Sequence, residues 1–176
     1  EQVLQASSTK ERKRQFNASE VDVGKLINES VAIVRTRRNL DEGSIKFAEP
    51  AEPLKVMGDA ADLQTAFINL LDNALKYSPD APKILIRTKK AAMNKRVDIF
   101  IKDNGIGIPS ADLKRIFKRF YRVVSKSGQE TKGTGLGLFI VKSIVERHGG
   151  KISAQSRGEG LGTTFLVVTH DTRIAD

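Results

Sequence analysis

Residues 59–77 read DAADLQTAFINLLDNALKY, and two stripes run through them. Leu63, Ala66, Phe67, Leu70, Leu71 and Ala74 recur at i, i+3, i+4, i+7, i+8 and i+11, the spacing of one apolar helix face. Asp59 stands where a carboxylate can accept the first unpaired amides, so it is expected to cap that helix. Asn69, Asn73 and Lys76 fall at i, i+4 and i+7 and form a second, polar stripe beside the first. Two carboxamide oxygens and an ammonium suit a magnesium-bound polyphosphate: Mg²⁺ takes oxygen ligands and keeps water, while lysine neutralises phosphate charge. An ordinary solvent face would carry the same residues, so the stripe gains meaning only from its neighbours.

On the N-terminal side, residues 1–15 (EQVLQASSTKERKRQ) are polar and free of Gly and Pro, and are expected to be the frayed end of an upstream helix and a linker. From Phe16 a short extended piece leads to a helix near Val23–Arg38, with Leu26, Ile27, Val31 and Val34 at helical spacing. Strand candidates follow at 45–48 and 54–57. Beyond the central helix, Ser78, Pro79, Asp80 and Pro82 force a stop, and strand-like runs occupy 83–88 and 97–103. After a turn at 104–109, Leu113, Ile116, Phe117 and Phe120 predict another helix, followed by a polar stretch at 125–132. A glycine-studded segment opens a last helix through about His148. Gly149-Gly150 then leads into strands at 151–156 and 162–169.

This order of elements predicts an α/β (α+β) two-layer sandwich: a mixed, mostly antiparallel sheet of about five strands, with about three helices on one face. The domain is expected to span 16–170, between the linker at 1–15 and a short tail at 171–176. A length of 176 residues with 39% hydrophobic content suits one well-buried core. No run reaches the roughly 18 apolar residues of a membrane helix. Residue 1 is Glu and no signal-peptide pattern follows, so the chain is expected to be a piece of a larger protein. The absence of cysteine excludes disulfides, thiolate metal sites and cysteine nucleophiles. A net charge of +9 invites a nucleic-acid reading. The basic clusters at 35–38, at Arg87, Lys89 and Lys90, and at 114–132 lack interleaved aromatics for base stacking, so a nucleotide or an acidic partner fits as well.

Two further segments carry chemistry. Val97, Ile99 and Ile101 share one strand face, and Asp103 continues that parity, so its carboxylate is expected to point inward and to need a donor. The exocyclic amine of adenine is such a donor, whereas guanine would set a carbonyl against the carboxylate. Gly105 and Gly107 would let backbone approach a flat ring, although Asp-Asn-Gly is also a common hairpin turn. Gly133-Thr134-Gly135-Leu136-Gly137-Leu138 precedes the apolar pattern Ile140, Val141, Ile144 and Val145. A glycine loop feeding a helix start offers unpaired N–H groups and a positive dipole end to an anion, so phosphate binding is the natural inference. The pattern also resembles the dinucleotide fingerprint, yet no Val- or Ile-rich strand enters it, and no Walker lysine is present.

In this order the pieces resemble the catalytic domain of bacterial sensor histidine kinases, a branch of the superfamily shared with gyrase, heat-shock chaperone ATPases and mismatch-repair ATPases. Asn69 through Tyr77 is similar to the N box, and Asp103-Asn104-Gly105-Ile106-Gly107-Ile108-Pro109 to the first glycine box. Phe117-Lys118-Arg119-Phe120-Tyr121-Arg122 is similar to the F box and Gly133 through Leu138 to the second glycine box. The resemblance implies a Bergerat-type fold that binds ATP and Mg²⁺. It implies that Asn73 coordinates the metal, with Asn69, Lys76 and Tyr77 near the phosphates. Asp103 would bind the adenine amine, with Gly105, Gly107 and Ile108 around the base. Gly133, Gly135 and Gly137 would wrap the phosphates, Lys132, Thr134, Leu136 and Leu138 would also line the nucleotide, and 122–132 would form a lid from which Arg122 reaches the γ-phosphate. Lys118 stands where the family's F box commonly has an acidic residue.

Where the superfamily's ATPases carry a Glu that activates water, four residues before the magnesium Asn, this chain has Asn69. The resemblance thus favours kinase over ATPase, because an imidazole nucleophile needs positioning and charge neutralisation more than a base. The histidine-plus-acid acceptor motif is missing. His148 precedes Gly149-Gly150 as a helix end and His170 lies in the tail, so structural or solvated roles are expected for both. The acceptor would lie upstream, on dimerisation helices that make the full-length protein a homodimer. A response-regulator aspartate would be the next partner, with no nucleic acid, a cytoplasmic location, and a membrane only through regions outside this chain. The alternatives are an ATP-binding regulatory module without phosphotransfer and a Ser/Thr kinase of the same superfamily.

Overall fold

The computed structural model describes residues 16–78, 81–91, 96–123 and 133–170, so the expected linker, most of the lid with Lys132, and the tail lie outside the described residues. Along the chain come β1 (Ser19–Asp22), α1 (Val23–Arg38), a 3₁₀ turn (Glu42–Ser44), β2 (Ile45–Ala48), β3 (Lys55–Gly58), α2 (Ala60–Lys76), β4 (Ile84–Ala91), β5 (Arg96–Lys102), α3 (Gly137–Arg147), β6 (Lys151–Gln155) and β7 (Thr164–His170). Five strands form one sheet in the order β2-β4-β5-β7-β6; β2 runs parallel to β4 and the other pairs are antiparallel. The expected mixed sheet with three helices is therefore present. The extended piece after Phe16 and the strand near 54–57 pair with each other, however, as a separate antiparallel ribbon of β1 and β3.

The core lies between the sheet and the helices. Alternate residues Ile84, Ile86, Val97, Ile99, Ile101, Phe165 and Val167 meet Ile27 and Val34 of α1, Leu70, Leu71 and Ala74 of α2, and Val141 and Val145 of α3, all buried. Fully burying one such Leu, Ile or Phe side chain contributes about 1.5–3 kcal/mol, so this layer decides the fold.

Local chemistry fixes the helix ends. Asp59 Oδ1 accepts from the amides of Ala61 and Asp62, each at 3.1 Å, and its Oδ2 accepts from the Asn17 amide at 3.2 Å. At the far end of α3, Gly149 takes φ +70°; its N–H donates to Glu146 and that of Gly150 to the Val145 carbonyl, which stops the helix. His148 sits at that stop as a structural residue. The Asp59 amide donates to its Nε2 at 3.0 Å, so the proton is on Nδ1, which donates to the Ile144 carbonyl at 2.7 Å.

The helix expected around Leu113, Ile116, Phe117 and Phe120 is a correction. Residues 110–120 form successive turns, with Arg115 N–H bonded to Asp112, Lys118 N–H to Arg115 and Tyr121 N–H to Lys118, each three residues back. Ile116 and Phe117 still reach the core, Phe117 packing edge-on against Phe165 at 6.4 Å. Phe120 then turns to φ +58° so that its N–H donates to the Gly135 carbonyl at 3.0 Å, and a helix cannot continue through that conformation.

Candidate functional site

Asp103 follows the last residue of β5 and is 5% exposed, with the inward parity expected from Val97, Ile99 and Ile101. Its Oδ1 accepts from the Gly105 amide at 2.9 Å and from the Thr163 amide at 3.0 Å. Both amides use the same oxygen, so Oδ2 is left for another donor. Burial raises the pKa of this carboxyl, and the two amide hydrogen bonds partly oppose that rise.

The loop after Asp103 is clamped from three sides. Ile106 N–H donates to the Tyr77 carbonyl at 2.9 Å, which ties the loop to the end of α2. A Cβ at Gly105 would collide with that same carbonyl and stand 2.8 Å from Ser78 Oγ, so only glycine fits there. Gly107 has φ +74° and lies against the Gly158 carbonyl. The amide of the half-buried Ile108 donates to Ser156 Oγ at 3.0 Å, and that hydroxyl donates to the Gly162 carbonyl at 2.7 Å. Thr163 and Ser156 thus hold the loop, and neither was singled out in the sequence. Their only signal is position: Ser156 ends one expected strand, and Thr163 follows Gly162 at the start of the next.

The second glycine segment meets the polar stripe of α2. A Cβ at Gly133 would strike Lys76 Nζ, and one at Gly137 would stand 3.3 Å from Asn69 Oδ1. Asn69 is oriented by its own helix, its Nδ2 donating to the Thr65 carbonyl at 2.9 Å. Lys76 Nζ lies 4.9 Å from the centre of the Tyr77 ring. Asn73 is half-buried on the same stripe. Leu136 occupies the cap position of α3 without a side-chain cap bond, and the first turn has no acidic residue, so the helix start presents its amides unscreened. Thr134 is exposed, while Leu136 and Leu138 are half-buried.

The structure therefore brings Asn69 and Lys76 against Gly133 and Gly137, and the end of α2 against Gly105. Arg122 follows Tyr121 and is exposed. Lys132 lies outside the described residues. Among the described residues no group of three His, Cys, Asp or Glu could hold a metal ion. A divalent ion here would rest on a carboxamide oxygen and on oxygens of its ligand, a donor set that suits Mg²⁺ on phosphates.

A family model described as "Histidine kinase-, DNA gyrase B-, and HSP90-like ATPase" matches residues 58–173. The chain is 38% identical over 151 residues to the signal transduction histidine-protein kinase/phosphatase MprB of Mycolicibacterium paratuberculosis, covering 84% of this chain and 28% of that protein. It is 37% identical over 147 residues to the sensor-like histidine kinase SenX3 of Mycolicibacterium smegmatis, covering 84% and 37%. The chain thus spans well under half the length of these curated relatives. Among solved structures, a mycobacterial sensor histidine kinase MprB superposes with a TM-score of 0.73 at 32% identity, covering 87% of this chain and 97% of that one. The catalytic domain of histidine kinase ThkA follows at 0.70 and 26%, with the same coverage.

Proposed function

Because the chain belongs to the histidine kinase-, DNA gyrase B- and HSP90-like ATPase family, as an ATP-binding catalytic domain of the histidine kinase type, we propose that it transfers the γ-phosphoryl group of Mg-ATP to a histidine on dimerisation helices outside these 176 residues. A response-regulator aspartate is the proposed next acceptor, and the cytoplasm, where ATP is abundant, the proposed location. Among the described residues no helix is long and apolar enough to cross a membrane.

The residues divide the work by chemistry. Asp103 Oδ2 accepts the adenine amine, and the Gly105–Gly107 loop lies along the base. Asn73 supplies an oxygen to Mg²⁺, which when bound neutralises phosphate charge. Lys76 and the α3 amides hold the phosphate oxygens, and Arg122 reaches the γ-phosphate from the lid. Exposed Phe120, at 69%, and Ile140, at 38%, support a docking surface for the dimerisation helices beside the glycine segment.

The observation that carries kinase over ATPase is Asn69. Its amide group, turned toward Gly137, cannot take a proton from water, whereas an imidazole nucleophile needs no strong base. The test mixes this chain with a histidine-bearing helical fragment of a relative and labelled ATP. A labelled fragment that is acid-labile and base-stable is expected. Acid-stable label would point to a hydroxyl acceptor, and release of inorganic phosphate without labelled protein would point to hydrolysis.

A further inference from the structure

The positive charge of this chain is not confined to the nucleotide cleft. Strand residues that alternate with the core point away from the helices, since successive side chains leave opposite faces of a sheet. On that outer face Lys46 of β2, Arg87 and Lys89 of β4, Lys102 of β5 and Lys151 of β6 are exposed, and among the described residues they make no ion pair. Asp98, the carboxylate of this face, is held by Arg96 through two hydrogen bonds of 2.9 and 3.1 Å. The register sets Lys46 and Lys102 on either side of Leu85, and Arg87 beside Phe100. With strands about 4.8 Å apart, Lys46 and Lys102 are separated by about 10 Å at the backbone.

These cations are spread over four strands in two dimensions instead of following a line. A bound peptide would track a line or pair along one strand edge, and these cations, spread across the sheet from β2 to β6, follow neither. Stacked nucleic-acid bases would need an aromatic platform, and Phe100 is half-buried between its neighbours. A plane of anionic groups, in contrast, can meet all five long side chains at once. We propose that the outer face of the five-stranded sheet is an electrostatic docking surface for an anionic lipid bilayer. The nucleotide cleft is built on the helix side, so it stays open to its ligand in the docked state.

Flotation of the 176-residue chain with phosphatidylcholine vesicles containing about one third phosphatidylglycerol tests this. Binding is expected at low salt, lost with pure phosphatidylcholine and lost as salt rises. At about fivefold per basic residue at such a surface, K46E/R87E/K151E should weaken binding at least about 100-fold. The triple K25E/K114E/K142E, at exposed Lys25 and Lys114 and half-buried Lys142, changes net charge equally and should keep most of the binding. Unchanged affinity for an ATP analogue reports an intact fold in each triple, and K46Q/R87Q/K151Q replaces the first if it misfolds. The proposal is overturned if wild type ignores the acidic vesicles, if both triples lose binding equally, or if short duplex DNA binds the same face more tightly at the same salt.

Discussion

Asp103 is held on one oxygen by two amides while burial raises its pKa, so its protonation state couples fold and ligand. Replacing it by Asn is expected to weaken ATP binding by roughly 1–3 kcal/mol, because a charge-assisted hydrogen bond becomes a neutral one at best. Titration calorimetry measures this, and unchanged affinity would remove the adenine assignment. The pH dependence has two signs. For stability, a raised carboxyl pKa means that the contribution of Asp103 is fully present below the ordinary aspartate value and is lost as pH rises through its folded value. For ligand, only the ionised form accepts the adenine amine without competition, so affinity should fall as pH drops through that raised value, and D103N should lack this fall. Identical pH profiles for the two proteins would contradict the account. The inward position of Asp103 was legible from the parity of Val97, Ile99 and Ile101. Thr163 and Ser156 were not, because they join the loop only through contacts 60 and 48 residues apart in sequence.

At the scale of elements, α2 carries both core and site, and its bounds were legible because cap, apolar stripe and stop signals agree. Asp59→Ala should cost about 1–2 kcal/mol by removing the cap, and should also loosen the Asn17 segment. A thermal melt checks it, with no loss in melting temperature as the contrary result. Asn73→Ala, on the half-buried polar stripe, should abolish most magnesium-dependent nucleotide binding while leaving the melt of the free protein nearly unchanged. Titration with and without magnesium beside that melt separates the two effects; equal affinity in magnesium would refute the metal role. Residues 110–120 show where local pattern misleads. Their apolar spacing is helical, yet the turn at Phe120 that reaches Gly135 breaks the backbone repeat, and no local signal announces that tertiary bond. The β1–β3 ribbon was likewise hidden, since pairing partners are chosen by tertiary packing and not by strand propensity.

The whole molecule separates three surfaces. The proposed nucleotide site lies where α2 meets the loop after β5 and the start of α3, exposed Phe120 and Ile140 lie beside it, and the cationic sheet face lies opposite the helices. Order and spacing of the four motifs made the family legible, whereas the sheet order β2-β4-β5-β7-β6 became visible only once long-range pairing was known.

The central claim is that three separated sequence segments hold one nucleotide. Amide chemical-shift mapping with a non-hydrolysable ATP analogue and magnesium tests it most directly. The account predicts that Gly105, Gly107, Thr163, Gly135 and Gly137 shift together and saturate at one ligand concentration. Saturable shifts confined to residues away from these segments would contradict it.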